Sequence, residues 1–371
     1  MALKDLKIAI VCDWLTNFGG AERVIFSLHR LFPDAPIYTS LFNETSMKPF
    51  CDTKIYISSF QKLPFFKRYH QFFIHFMPHI FENFDLSAYD IVISSCHSCS
   101  KGIITKPRTL HICYCHSPTR YLWDHWQEYI HQYRLPKLVE RCFMKSMHRL
   151  RIWDRFAADR VDAYVANSRF VADRIHKFYR KKSHVIHPPL EIERFSPSKN
   201  IGDFFLAAGR LVPYKRFDLL VEVFNNNGFK LKICGDGYQY GALKREAKDT
   251  IEFLGNVSDD TLKDLMSQCR AFLFPQCEDF GIAPLEAMAS GRPVIAYRAG
   301  GALETVIDEK TGIFFDAQTP ESFNDALQRF EKMSFDPKAI RRHAEGFSEK
   351  RFQKEFMSFI EERWADWSKK D

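Results

Sequence analysis

Short apolar runs alternate with longer stretches of helical periodicity along almost the whole chain. The runs "IAIVCDW", "PIYTSLF", "IVISSC", "TLHICYC", "AYVANS" and "HVIHPP" occupy the first half, and "FFLAAGR", "KLKICGD", "IEFLG", "AFLFP", "PVIAYRA" and "GIFFD" the second. Many are apolar on both faces and are spaced for an intervening helix. That is the pattern of parallel strands covered on both sides. Twelve such strands are too many for one comfortable doubly wound sheet, so the pattern predicts an α/β protein with two sheets in two domains. Pro188 and Pro189 force extended backbone between the two sets of strands. The expected division is 1–189, 190–345, and a terminal segment 346–371. In that last segment Phe352, Phe356, Phe359, Ile360 and Trp367 fall near one helical face, so the helix is expected to pack back across the domain junction.

Composition agrees with a large packed core: of 371 residues, 46% are hydrophobic and 27% charged. The opening "MALKDLKIAIVCDW" has lysines within its first apolar run and no small-residue cleavage site. No stretch approaches the ~18 uncharged apolar residues of a spanning helix. These features predict a cytoplasmic protein. Ten cysteines are scattered, several inside strand-like runs, so reduced and mostly buried thiols are expected. Cys96 and Cys99 followed by Cys113 and Cys115 have the look of a zinc set, but C-x-C on a strand offers no turn to wrap a metal. The net charge is +7, and its excess lies in the first half, mainly between Lys101 and Lys182. Such a face attracts anionic lipid, phosphorylated ligands or nucleic acid, or is simply solvated.

Candidate chemistry sits where strands end. Gly19 and Gly20 lie between the first strand and the helix of "AERVIFSLHRLF", where backbone amides and a helix dipole favour an anion. The spacing is not G-x-G-x-x-G, and a plain tight turn explains the pair nearly as well. Arg210 and Lys215 stand in the loop after "FFLAAG" and can clamp a diphosphate; two solvated cations are the bland alternative. "CGDG" ends another strand. In "EDFGIAPLEAMASG", a loop leads into a helix with Pro284 in its first turn and Gly291 at its end. Glu278 and Glu286 flank that loop, either facing one cleft or serving as a helix cap and a solvated carboxylate.

Four motifs, "GGAERV", "GRLVPYK", "CGDG…LGNVSDD" and "EDFGIAPLEAMASGRPVIA…GGALETV", occur in an order that resembles the retaining GT-B glycosyltransferases of family GT4, the "glycosyl transferases group 1" class. The resemblance spans nearly the whole chain. It implies two Rossmann-like doubly wound domains facing a central cleft, the first binding acceptor and the second a nucleotide sugar. "CDWLTNFGGAERV" and "CYCHSPTRYLWD" are similar to a bacterial subgroup of O-antigen and exopolysaccharide mannosyltransferases, which use GDP-mannose and polyprenyl-diphosphate-linked acceptors. The family pattern puts Glu278 on the donor hexose, and the Phe280, Gly281 and Ile282 amides on sugar and diphosphate. It puts Glu286 on the ribose, Arg210 and Lys215 on the leaving diphosphate, and Gly235, Asn256 and Val257 beside the base. Gly19 and Gly20 lie near the diphosphate and acceptor. His116, at the end of the fourth first-domain strand, lines the sugar site. Arg120 and Tyr121 stand on the acceptor side. No cofactor or metal ion is implied, and the sequence has no D-x-D.

The expected activity is therefore hexosyl transfer, mannosyl from GDP-mannose, to a saccharide hydroxyl of a lipid-linked acceptor. A UDP-sugar donor, or a phosphorylase or hydrolase on the same fold, is the alternative. A nucleic-acid partner is disfavoured because no reader motif accompanies the basic half. The Phe-rich stretch 60–84 places Phe65, Tyr69, Phe72, Phe73 and Phe76 at helical spacing until Pro78 breaks it. That segment suits either a membrane interface, giving peripheral binding to the inner face of the plasma membrane, or the protein core. Oligomeric state is not legible.

Overall fold

The computed structural model describes residues 5–63, 70–124 and 137–369. The chain forms two compact units, Met1–Pro188 with Phe352–Asp371, and Pro189–Arg351. Each is built on its own parallel sheet.

The first sheet has seven strands: β1 (Ile8–Cys12), β2 (Ile37–Thr39), β3 (Ile55–Ile57), β4 (Ile91–Cys96), β5 (Leu110–Cys115), β6 (Ala163–Ala166) and β7 (Ser183–Val185). Their order is β3-β2-β1-β4-β5-β6-β7. Alternate residues of β1 serve two cores, as a period of two requires. Ile8, Ile10 and Cys12 pack with Val24, Ile25 and Leu28 of α1 (Gly20–Leu31), whereas Ala9 and Val11 pack with Ile74, Met77 and Phe81. The terminal helix, Glu349–Trp367, buries Phe352, Phe356, Phe359 and Ile360 in the α1 core. The rings of Phe352 and Phe356 stack at 5.6 Å, and Trp367 donates Nε1–H to the Arg108 carbonyl at 3.1 Å.

Two local expectations change. Strand β3 is a three-residue edge strand with Tyr56 and Ile57 exposed, too short to stand out as a periodic run. His116 therefore follows the fifth strand, not the fourth. Pro78 does not end a helix; it sits in the first turn of Met77–Glu82, where a missing N–H costs nothing. Residues 64–69 lie outside the described residues, and with them most of the expected helix through Phe65 and Tyr69; His70–Phe76 forms a 3₁₀ segment kinked at Phe73.

The basic excess does not all face water. Lys101 is 1% exposed and its Nζ lies 2.5 Å from Asp154 Oδ1. Asp154 is on α2 (Lys137–Asp159), and it also accepts from Thr119 Oγ1 at 3.0 Å, Trp123 Nε1 at 2.8 Å and the Tyr179 hydroxyl at 2.9 Å. Tyr179 closes α3 (Arg169–Tyr179), which Ser168 caps by accepting from the Val171 amide. Lys101 also donates to the Ser98 carbonyl at 2.9 Å. The thiols are inert for a similar reason: Cys12, Cys96, Cys99 and Cys113 are buried, and burial raises each above the ordinary thiol value.

The second sheet has six strands: β8 (Phe204–Ala208), β9 (Lys230–Cys234), β10 (Ile251–Gly255), β11 (Phe272–Phe274), β12 (Val294–Tyr297) and β13 (Gly312–Phe315), in the order β10-β9-β8-β11-β12-β13. Phe205 and Ala207 pack on one face with α4 (Phe217–Asn227); Phe204 and Leu206 pack on the other with α5 (Ile282–Ala289). Helix α5 is buried from Pro284 to Ala289, which explains why "APLEAMA" is apolar nearly all round.

Candidate active site

In each sheet the strand order reverses at one place, between β1 and β4 and between β8 and β11. Open α/β sheets bind ligands beyond the carboxyl ends of strands at such points. Gly19 and Gly20 follow β1, Arg210 and Lys215 follow β8, and Glu278 follows β11, whereas Gly235, Asn256 and Val257 follow β9 and β10, and His116, Arg120 and Tyr121 follow β5.

In the second unit, β8 runs out through Gly209 to Arg210, which is exposed, and a 3₁₀ turn ends at Lys215. Beyond β11 the chain reaches Glu278. Lys215 Nζ and Glu278 Oε1 are 3.0 Å apart, and both side chains are 18% exposed. Burial works against the Lys215 charge, but the Glu278 carboxylate outweighs it and raises the ammonium above the ordinary lysine value. Lys215 is thus a fixed cation rather than a base. Gly281 opens α5 at φ 85°, and a Cβ there would lie 2.7 Å from Phe274 Cζ. Phe280, Gly281 and Ile282 consequently lead into a helix start, whose first amides have no partner within the helix. The "GG" of "GGALETV" holds this loop: Gly301 N–H donates to the Glu278 carbonyl at 2.9 Å, and a Cβ at Gly301 would stand 2.3 Å from Phe280 Cα.

Glu286 is buried on α5 and is one of the charges acting on Arg194, whose guanidinium is disfavoured by burial and raised overall by Asp259, Glu191 and Glu286. The two glutamates therefore have different surroundings, one beside Lys215 and the other in the field of Arg194. Glu278 does not cap α5, since the cap residue is Gly281. Gly235 follows β9 and donates its N–H to Gly255 at the end of β10 at 2.7 Å; exposed Asn256 and half-buried Val257 come next.

In the first unit the organising residue is Asp13, directly after β1. It is 1% exposed and accepts four backbone N–H bonds from the loop after β4: His97 at 2.7 Å and Ser98 at 2.9 Å on Oδ2, Cys99 and Ser100 each at 2.7 Å on Oδ1. His97 Nδ1 lies 3.2 Å from Asp13 Oδ2, and its ring stands edge-on to Trp14 at 4.6 Å. His116, after β5, shares a 2.8 Å hydrogen bond between Nε2 and Ser95 Oγ. Burial, helped by the neighbouring His97 charge, pushes His116 down to about 3, so it is neutral at physiological pH. The Gly19 N–H donates to Glu22 Oε2 at 3.0 Å, and Gly20 begins α1. Burial raises the Glu22 carboxyl. Arg120 is half-buried. The Tyr121 hydroxyl meets Ser98 Oγ at 2.6 Å, so Tyr121 braces the 97–100 loop.

Sequence reasoning missed Asp13, His97 and the Lys215–Glu278 pairing. Asp13 and His97 are 84 residues apart. The only local signals were a carboxylate and an imidazole, each one residue past a strand.

Residues 173–347 match the family model described as Glycosyl transferases group 1, and residues 18–194 match the model described as Glycosyltransferase Family 4. Together the two matches span residues 18–347, each to a glycosyltransferase family model. The chain is 28% identical over 191 residues to an uncharacterized glycosyltransferase of Methanocaldococcus jannaschii, covering 50% of this chain and 54% of that one. It is 30% identical over 180 residues to the O-antigen chain mannosyltransferase RfbU of Salmonella typhimurium, covering 43% and 51%. The chain spans about half the length of the curated relatives it matches. Anabaena HepE, solved in complex with UDP, shares the fold with a TM-score of 0.69 at 14% identity, over 95% of this chain and 100% of that one.

Proposed function

We propose that this protein is a retaining GT4 glycosyltransferase that moves a mannosyl group from GDP-mannose to a hydroxyl of a lipid-linked saccharide in bacterial surface polysaccharide synthesis. The observation that carries the transferase reading is the Lys215–Glu278 pair beyond β8 and β11, beside the start of α5. The mannosyl donor is supported by the likeness to RfbU.

Breaking the anomeric C–O bond leaves negative charge on the nucleotide diphosphate. Lys215, Arg210 and the first amides of α5 are preorganised positive groups for that charge. Glu278 accepts from the hexose hydroxyls while Lys215 keeps its carboxylate in place. Glu286, further along α5, takes the ribose. His116, neutral and anchored on Ser95, suits a hydrogen bond to sugar rather than charge chemistry. With these groups the reading needs no metal ion.

Calorimetry with GDP, UDP and ADP, and with their sugars, tests the donor. GDP and GDP-mannose are expected to bind with the others at least tenfold weaker. Binding of UDP in preference to GDP would replace the donor, and sugar release independent of any acceptor would favour the phosphorylase or hydrolase reading.

Peripheral membrane binding belongs to the same proposal. On α2, Arg141, Lys145, His148 and Arg149 are exposed, followed by Ile152 at 46% and Phe156 at 66%. Cations leading to protruding apolar side chains fit an anionic bilayer surface. No helix among the described residues is long and apolar enough to cross a membrane. The protein should sediment with phosphatidylserine vesicles at low salt and be released at high salt; failure to sediment at low salt would remove this part of the proposal.

A further inference from the structure

Building on the glycosyltransferase reading, we propose that Arg216 and Gln318 are positioning residues. They clamp the loop that carries Lys215 to the loop that carries Glu278, so that the Lys215 ammonium stays in place as the diphosphate departs.

Arg216 stands directly after Lys215, between the 3₁₀ turn Pro213–Lys215 and α4. Its backbone lies at φ 54° and ψ 36°, a left-handed conformation that strains an L side chain and that glycine adopts freely. Glycine would suit this backbone better, so the arginine side chain has to offset the strain. Its Nη1 donates to Gln318 Oε1 at 3.2 Å and its Nη2 to the Gln318 carbonyl at 3.3 Å, while Nε meets both oxygens of Asp218 at 3.3 Å. Gln318 in turn donates from Nε2 to the Pro275 carbonyl at 2.7 Å. Pro275 directly follows β11, on the way to Glu278. The link therefore runs from Lys215 through Arg216, Gln318 and Pro275 to the Glu278 loop, and the 3.0 Å pair of Lys215 with Glu278 closes it.

Only an amide completes this link. A guanidinium can only donate and a carbonyl can only accept, so residue 318 must offer an acceptor to one and a donor to the other. A carboxylate would lose Pro275, and an apolar side chain would lose both. The anchor is itself held. Gln318 lies beyond β13, where Ser322 Oγ accepts from the Asp316 and Ala317 amides at 3.1 Å each. Arg298, directly after β12, donates to Asp316 Oδ1 at 2.6 Å.

The clamp matters because the ion pair alone is a poor tether during the reaction. A bound diphosphate competes with Glu278 for the Lys215 ammonium, whereas the bonds through Gln318 involve neither group. Spacing between the two loops is then independent of what Lys215 is paired with. A misplacement of about 1 Å near reacting groups can cost about 10²-fold in rate.

The test uses two variants of the full chain. Arg216→Gly removes the guanidinium and relieves the backbone, and Gln318→Glu keeps the acceptor for Arg216 but removes the donor to Pro275. Transfer from GDP-mannose to octyl α-mannoside is expected to fall about tenfold in kcat in each, with the donor KM within about threefold of wild type. The double variant should be no worse than the poorer single one, since both break the same link. Losses that multiply in the double variant, or a kcat above about a third of wild type in either single variant, overturn the proposal. Hydrogen exchange read by mass spectrometry tests the clamp without activity. Segment 275–281 should exchange faster in Arg216→Gly although the substitution lies on the other loop; unchanged exchange there overturns the proposal whatever the substrate. Failure of wild type to bind any of GDP, UDP or ADP counts instead against the glycosyltransferase reading.

Discussion

Lys215→Ala should lower turnover by two to three orders of magnitude. Removing a single preorganised donor from a developing anion typically costs about 3–4 kcal/mol of transition-state stabilisation. In the proposed mechanism Lys215 is such a group: its ammonium is fixed 3.0 Å from Glu278, and that carboxylate strengthens its hold on the proton. The charge is needed most when the diphosphate leaves, so kcat should fall far more than donor affinity does. Lys215→Arg keeps the charge but not the compact ammonium geometry and should recover only part of the rate. Glu278→Gln removes the partner while sparing its shape, so a smaller loss is expected, with weaker binding of the donor sugar. Steady-state release of GDP from GDP-mannose in the three variants measures this. Wild-type turnover in Lys215→Ala would withdraw Lys215 from the mechanism.

Asp154→Ala should destabilise the first unit by about 3–5 kcal/mol, the usual cost of leaving one partner of a buried ion pair alone. Lys101 and Asp154 are 1% and 0% exposed, so water cannot replace the lost carboxylate. Thr119, Trp123 and Tyr179 lose an acceptor in the same step. The double replacement Lys101→Met with Asp154→Leu removes both charges and should recover the part of the loss that comes from the unpaired ammonium, but not the part that comes from the donors left without Asp154. The denaturant midpoint of each variant reads the difference. A shift below about 1 kcal/mol in Asp154→Ala would mean that the ammonium finds other partners. The network also reaches the site. Lys101 and Thr119 both donate to the Ser98 carbonyl, one residue beyond His97. The double variant should therefore be more stable than Asp154→Ala yet still less active than wild type, separating the two roles of the network.

The architecture was legible because it rests on local periodicity. A parallel strand buried on both faces must be apolar throughout, and an amphipathic helix must repeat every three to four residues. Twelve of the strands announced themselves in this way, and the apolar face of the terminal helix did too. What escaped was either too short for a period, as β3 is, or read with the wrong consequence, as Pro78 was: a proline that ends one helix and one that opens another look alike in sequence. The loops at strand ends were legible as well, since glycines and cations at those positions are local features. Their partners were not.

By itself, the sequence determined two doubly wound sheets and the glycine- and cation-bearing loops at their strand ends. Only the tertiary structure decided which side chains meet. Lys215 finds Glu278 because β11 lies beside β8, and Asp13 finds His97 because β4 lies beside β1. Lys101, counted along the chain as one more surface cation, is an interior one because Asp154 stands 53 residues away in sequence and 2.5 Å away in space. Periodicity tells which face a residue presents. What stands opposite depends on how the crossovers order the strands, and that order is set by the packing of the whole unit.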